Sequence, residues 1–154
     1  MKIQFFRIPI IVFAGLFLFG CAAQQSRIAK TASGNPEVVI KGVDVEAVRI
    51  RIIERTMSGG MRLDSDTPSR VVVSKEVEGF RENMLRLALG NSYSTPVRAE
   101  IAFTMVKVPE GVKVFSQSSA WTQMPGGQIN RMELNGNIDF NDMQTALYRL
   151  RDSF

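Results

Sequence analysis

The stretch Val97-Arg98-Ala99-Glu100-Ile101-Ala102-Phe103-Thr104-Met105-Val106-Lys107-Val108, the break Pro109-Glu110-Gly111, and the run from Val112 to Thr122 decide the fold. Either side of the break is dense in β-branched and aromatic residues that alternate with polar ones, the period-two pattern of a half-buried strand. Pro at the first loop position and Gly at the third fit a three-residue hairpin, a type I turn closing on a left-handed glycine. Such a turn predicts Val108 opposite Val112, and hence Met105 opposite Phe115, Phe103 opposite Gln117, Ile101 opposite Ser119 and Ala99 opposite Trp121. One face then collects Val97, Ile101, Phe103, Met105, Phe115 and Trp121. The other carries Arg98, Glu100, Thr104, Ser116, Ser118 and Thr122, a separation that a one-residue slip destroys. Near the tip the polar face also holds Val106, Val108, Val112 and Val114. These four predict either a contact surface for a partner or the membrane, or a patch covered by the C-terminal segment or another strand.

Outward from the hairpin, the upstream half reads strand, helix, hairpin, helix. Glu37–Lys41 is a short strand ending at Gly42, and Asp44 can cap a helix running to about Met57. Val45, Val48, Ile52 and Ile53 give that helix its apolar face. The arginines at 49, 51 and 55 lie mostly elsewhere, a solvated face more than a lipid or partner contact. Ser58-Gly59-Gly60 stops it. Met61–Asp64 and Arg70–Lys75 predict two strands joined by residues 65–69. Asp64 and Asp66 do not make a calcium loop, because Ser69 and Lys75 stand where such a loop needs glycine and glutamate. Val77–Leu89 predicts a short helix with Phe80, Met84, Leu87 and Ala88 on one side, ended by Gly90-Asn91-Ser92.

Downstream, residues 124–128 read as a loop and 135–137 as a turn. The last helix is the most regular. Asp139 is its expected cap, with Ile138 and Met143 stapling its start, and Phe140, Met143, Leu147, Leu150 and Phe154 form one stripe. Arg149 and Arg151 suit the negative end of its dipole. Together these elements predict an α+β domain over residues 37–154: a curved antiparallel sheet of about five strands, including the long 97–122 hairpin, with two or three helices packed on one face.

Residues 1–20 are different in kind. Lys2 and Arg7 give a positive start, an apolar run from Ile8 to Phe19 follows, and the segment closes on Leu18-Phe19-Gly20-Cys21. The positive start and short apolar core are those of a secretory signal. A core of about a dozen residues is too short to span a bilayer of roughly 30 Å. The ending resembles the lipobox of bacterial lipoprotein precursors, with Leu18, Phe19 and Gly20 as the signal-peptidase recognition residues. That resemblance implies removal of residues 1–20 and a diacylglyceryl thioether on Cys21, with further acylation such as palmitate. With Ala22 rather than aspartate after the cysteine, it also implies an outer-membrane more than an inner-membrane address, the domain facing the periplasm. Residues 21–36 are polar, small and closed by turn formers, and are expected to be a flexible tether.

Composition narrows the function further. The signal holds two of the nineteen basic residues, which leaves seventeen against fifteen acidic ones, so charge is no argument for nucleic-acid binding. The chain contains no histidine, which excludes His-ligated metal sites and Ser-His-Asp catalysis. Its one cysteine is the expected lipid carrier, so no disulfide, thiolate cluster or nucleophilic cysteine remains. No cofactor, metal ligand set or catalytic residue is predicted. Element order is similar to that of the lipopolysaccharide-assembly lipoproteins.

The leading expectation is a membrane-anchored envelope lipoprotein that is not an enzyme and acts as a binding or assembly module with a protein partner. The second is a carrier of lipid or another hydrophobic ligand, using a pocket between sheet and helices rich in methionine and phenylalanine. The third is a carboxylate-based cell-wall hydrolase using Asp64, Asp66, Glu76 or Glu78, though no spacing marks an acid–base pair.

Overall fold

A computed structural model describes residues 26–90 and 93–154. The signal segment, Cys21 and the Asn91-Ser92 helix stop lie outside the described residues. Nine elements follow in order: β1 (Glu37–Lys41), α1 (Val45–Ser58), β2 (Arg62–Thr67), β3 (Arg70–Glu76), α2 (Phe80–Leu89), β4 (Arg98–Val108), β5 (Gly111–Gln123), β6 (Ile129–Glu133) and α3 (Asn137–Arg151). The strands form one curved, unclosed antiparallel sheet in the order β1-β5-β4-β3-β2, with β6 on β5 beyond β1. The α+β architecture holds. Its sixth strand, β6, is short and falls between the loop at 124–128 and the turn at 135–137.

The hairpin is tighter than its Pro-Glu-Gly break predicts. Val108 pairs with Gly111, not with Val112, so the loop is the two residues Pro109 and Glu110. Gly111 does not bulge. It lies in β5 with φ 152°, against β1, where a Cβ would meet the Ile40 carbonyl oxygen at 2.1 Å. Only glycine lets β1 pair this closely with the start of β5.

That single step reverses β5. Met105 now opposes Val114, Phe103 opposes Ser116 and Ile101 opposes Ser118. Val112 and Val114 therefore share the core face with Val71, Val73, Phe103, Met105, Val38 and Ile40. Phe115 and Trp121 move to the opposite face, beside Arg98 and Glu100. On that face charges are paired across strands: Arg98 with Glu76, Arg131 with Glu100, Lys113 with Glu37. The Arg98 guanidinium lies 6.0 Å from the Trp121 ring centroid.

All three helices cover the other face. α1 is capped as expected, Asp44 Oδ1 accepting from the Ala47 amide at 2.7 Å, and buries Val48 and Ile52. α3 departs from expectation at its start. It begins at Asn137 after Gly136 with no side-chain cap, and Asp139 turns instead to Arg81. Its stripe is buried at Phe140, Leu147 and Leu150, while Phe154 is exposed. Asn141 and Gln144 are buried beside it. Gln144 accepts from the Glu37 amide at 3.0 Å and donates to the Glu37 carbonyl at 2.9 Å, continuing the pairing of edge strand β1 with a side chain. α2 reverses its predicted orientation. Leu85 and Leu89 meet Val97 and Ala120, whereas Phe80, Met84 and Leu87 face solvent.

The segment expected to be a tether makes contacts with the fold. Its described part, residues 26–36, is docked on the first turns of α3. The Ser26 carbonyl accepts from Asn141 Nδ2 at 3.0 Å and the Ile28 amide donates to Asn141 Oδ1 at 2.8 Å. Arg27 stacks 4.5 Å from the Phe140 ring centroid and bonds to Asn137 and the Asn135 and Gly34 carbonyls. These contacts turn a stretch of small and polar residues into part of the folded unit.

Candidate functional site

The layout of the helices leaves a gap. α1 lies over β2, β3 and β4, and α3 lies chiefly over β1. In the strand order β1 and β3 are three positions apart, about 14 Å at the usual strand spacing. Two helices packed on each other sit about 8–10 Å apart. The difference opens a cleft over the central strand β4. Its floor is Ile101 and Phe103 of β4 with Met61, and its walls are Ile52 and Thr56 of α1 and Met143, Ala146, Leu147 and Leu150 of α3. Its volume is about 290 Å³, near the lower limit of small-ligand sites.

Two arginines stand on the rim, Arg55 from the last turn of α1 and Arg149 from the last turns of α3. Both are exposed. Neither guanidinium pairs with a carboxylate among the described residues. Most other arginines do: 49, 51, 62, 81, 86, 98, 131 and 151 are all bridged. An apolar slot with two unpaired cations at its mouth complements an apolar chain bearing an acidic group. A second depression of about 450 Å³ continues the cleft past Met61 and Met143 toward Arg81 of α2. It is lined by charges of both signs, including Lys75, Glu76 and Asp142.

The residues singled out from sequence fall in different places. Val106, Val108, Val112 and Val114 do not form one patch. Val112 and Val114 are fully buried on the helix-covered face, under α1 and α3, because the tighter turn shifts β5 by one residue. Val106 is exposed and Val108 half-buried on the other face. Cys21 and Leu18-Phe19-Gly20 lie outside the described residues.

Three of the four candidate acids are engaged in ion pairs: Asp64 with Arg62, Asp66 with Arg49 and Glu76 with Arg98. Burial pushes the Asp64 carboxyl up, but the Ser74 hydroxyl and Arg62 outweigh it and leave the pKa below the ordinary carboxylate value. Glu37 is likewise pushed up by burial and brought below its ordinary value by Ser33 and Lys113. No group of three or more metal-ligating side chains occurs among the described residues. No described helix is long and apolar enough to cross a membrane.

The cleft lies where the carrier alternative expects a pocket rich in methionine and phenylalanine, between sheet and helices, but its lining residues and the placing of Arg55 and Arg149 at its rim were not singled out from sequence. Met61 and Met143 were the available signal, since flexible thioethers suit an adaptable apolar wall. Helical spacing alone had placed Met143 in the core. No protein family, curated protein or solved structure matches the chain.

Proposed function

We propose that the protein is a lipid-anchored, non-catalytic binding module of the bacterial envelope whose site is the cleft between α1 and α3. The observation that carries the reading is the cleft itself, an apolar slot over Ile101 and Phe103 with unpaired Arg55 and Arg149 at its mouth. Its ligand on this reading is an apolar chain with an acidic head, the head meeting the arginines and the chain lying along Met61 and Met143. Lipidation on Cys21 holds the module at the membrane, where such amphiphiles are concentrated. Carboxylates engaged in ion pairs fit a scaffold better than an acid–base site.

A second reading, an assembly module that takes an apolar segment of a protein partner, draws support from the mixed-charge continuation of the cleft toward α2. The two separate in a binding titration of the mature chain with dodecanoate and with dodecyltrimethylammonium. The carrier reading predicts saturable, single-site binding of the anion, weak binding of the cation, and loss of anion binding in Ala146→Phe, which fills the slot. Equal or absent binding of both contradicts it. Cross-linking of the native membrane through the cleft to one protein then favours the assembly module.

A further inference from the structure

We infer that α2 is a membrane-docking helix: its outward apolar stripe lies on the bilayer in which the chain's own lipid is anchored. The inference rests on the lipoprotein reading of Cys21. Phe80, Met84 and Leu87 are 80%, 55% and 84% exposed. At spacings of four and three they share one side of the helix, directly away from buried Leu85 and Leu89. The helix therefore satisfies its own core with one side and carries a second apolar side that the fold does not use. An amphipathic helix with such a stripe lies in the plane of the interface.

The position of the anchor identifies the occupant. Arg81, in the first turn of α2, bonds to Asp139 at 2.5 Å, which places that turn near the start of α3. The chain at Ser26 is held against the same end of α3 through Asn141. Ile138, between the two, is 62% exposed, and Ile28 at the docked segment is 54% exposed. Cys21 lies five residues before Ser26, a reach of at most about 17 Å even when fully extended. A lipid on so short a leash brings the bilayer surface to this end of α3, and the α2 stripe faces out beside it. The hairpin tip at Pro109-Glu110 lies at the other end of β4 from Val97, on which α2 packs.

The test uses the mature lipoprotein reconstituted in phosphatidylethanolamine–phosphatidylglycerol vesicles. With Cys21 acylated, Met84→Cys and Lys107→Cys each introduce one labelling site at an exposed position. Both are labelled with an environment-sensitive fluorophore and quenched by spin-labelled lipid. Docking predicts blue-shifted emission and several-fold stronger quenching at position 84 than at 107. It also predicts that adding Phe80→Glu and Leu87→Glu brings position 84 down to the level of 107. Equal exposure of the two sites in a chain whose mass shows the lipid overturns the docking and leaves the anchor standing. A chain whose mass shows no lipid on Cys21 overturns both. Shielding of position 84 in native membranes but not in vesicles overturns the bilayer as occupant in favour of a protein.

Discussion

α2 and α3 carry the same kind of sequence signal and use it in opposite ways. Each has apolar residues at helical spacing, Phe80-Met84-Leu87 in one and Phe140-Met143-Leu147-Leu150 in the other. In α3 the stripe faces inward: Phe140, Leu147 and Leu150 are buried, the two leucines in the core with Val38, Ile40, Val112 and Phe103. In α2 the stripe points to solvent, and the two residues off it, Leu85 and Leu89, make the packing contacts. Periodicity defines a side of a helix. What that side meets is set by the sheet, and here one helix spends its stripe on stability while the other keeps it for contact outside the fold.

The sharpest way to break this comparison is truncation of matched leucines. Leu147→Ala is expected to cost about 3 kcal/mol, for lost transfer energy and the cavity left between α3 and the sheet. Leu87→Ala is expected to fall within about 0.5 kcal/mol of the parent, as for a surface change. Equal losses in denaturant unfolding would remove the distinction. Next in size is Gln144→Ala, which leaves the Glu37 amide and carbonyl without their partner under α3 and is expected to cost about 2 kcal/mol.

The helix starts give a smaller effect of opposite sign. Both N-caps are glycine without a side-chain bond, but Gly136 has φ −59° and Gly79 has φ 74°. Gly136→Ser is expected to stabilise the fold by a few tenths of a kcal/mol, a hydroxyl being free to accept from the first turn. Gly79→Ser is expected to destabilise it by about 1 kcal/mol through the left-handed backbone. Thermal melts of the two variants check the sign.

The smallest effect is a pH dependence at the strand that α3 clamps. Because Ser33 and Lys113 hold the folded Glu37 pKa below its ordinary value of 4.5, its contribution is present above that value and lost as pH falls through the lower folded pKa. Glu37→Gln is expected to flatten the fall in stability between about pH 5 and pH 3. An unchanged slope would place the acid sensitivity elsewhere.

The elements themselves were largely legible. Asp44 marked the start of α1, the paired glycines its end, and alternation the long strands. Four features were not. The hairpin register turned on whether Gly111 bulged or paired, and that depended on β1 approaching it, a contact between segments seventy residues apart in the chain. The side α2 presents depended on Val97 and Ala120 offering a site for two leucines only. The docked segment at 26–36 relied on Asn141, and the clamped edge of β1 on Gln144, polar residues that interrupt an apolar stripe and find their partners on another part of the chain. A pocket between sheet and helices is expected for a carrier, but its lining was not legible: it arises from strand order, which places two helices too far apart to close over β4.

The central claim is that this cleft is a binding site. It is tested most directly by titrating the mature chain, methyl-labelled at methionine and held in nanodiscs, with dodecanoate and following the methyl resonances. Binding in the cleft predicts that Met61 and Met143 shift together and saturate while Met105, buried in the core beside them, stays nearly fixed. Arg149→Glu is expected to weaken the effect about tenfold or more. Methyl resonances of Met61 and Met143 that do not move, or that move no more than Met105, would contradict it.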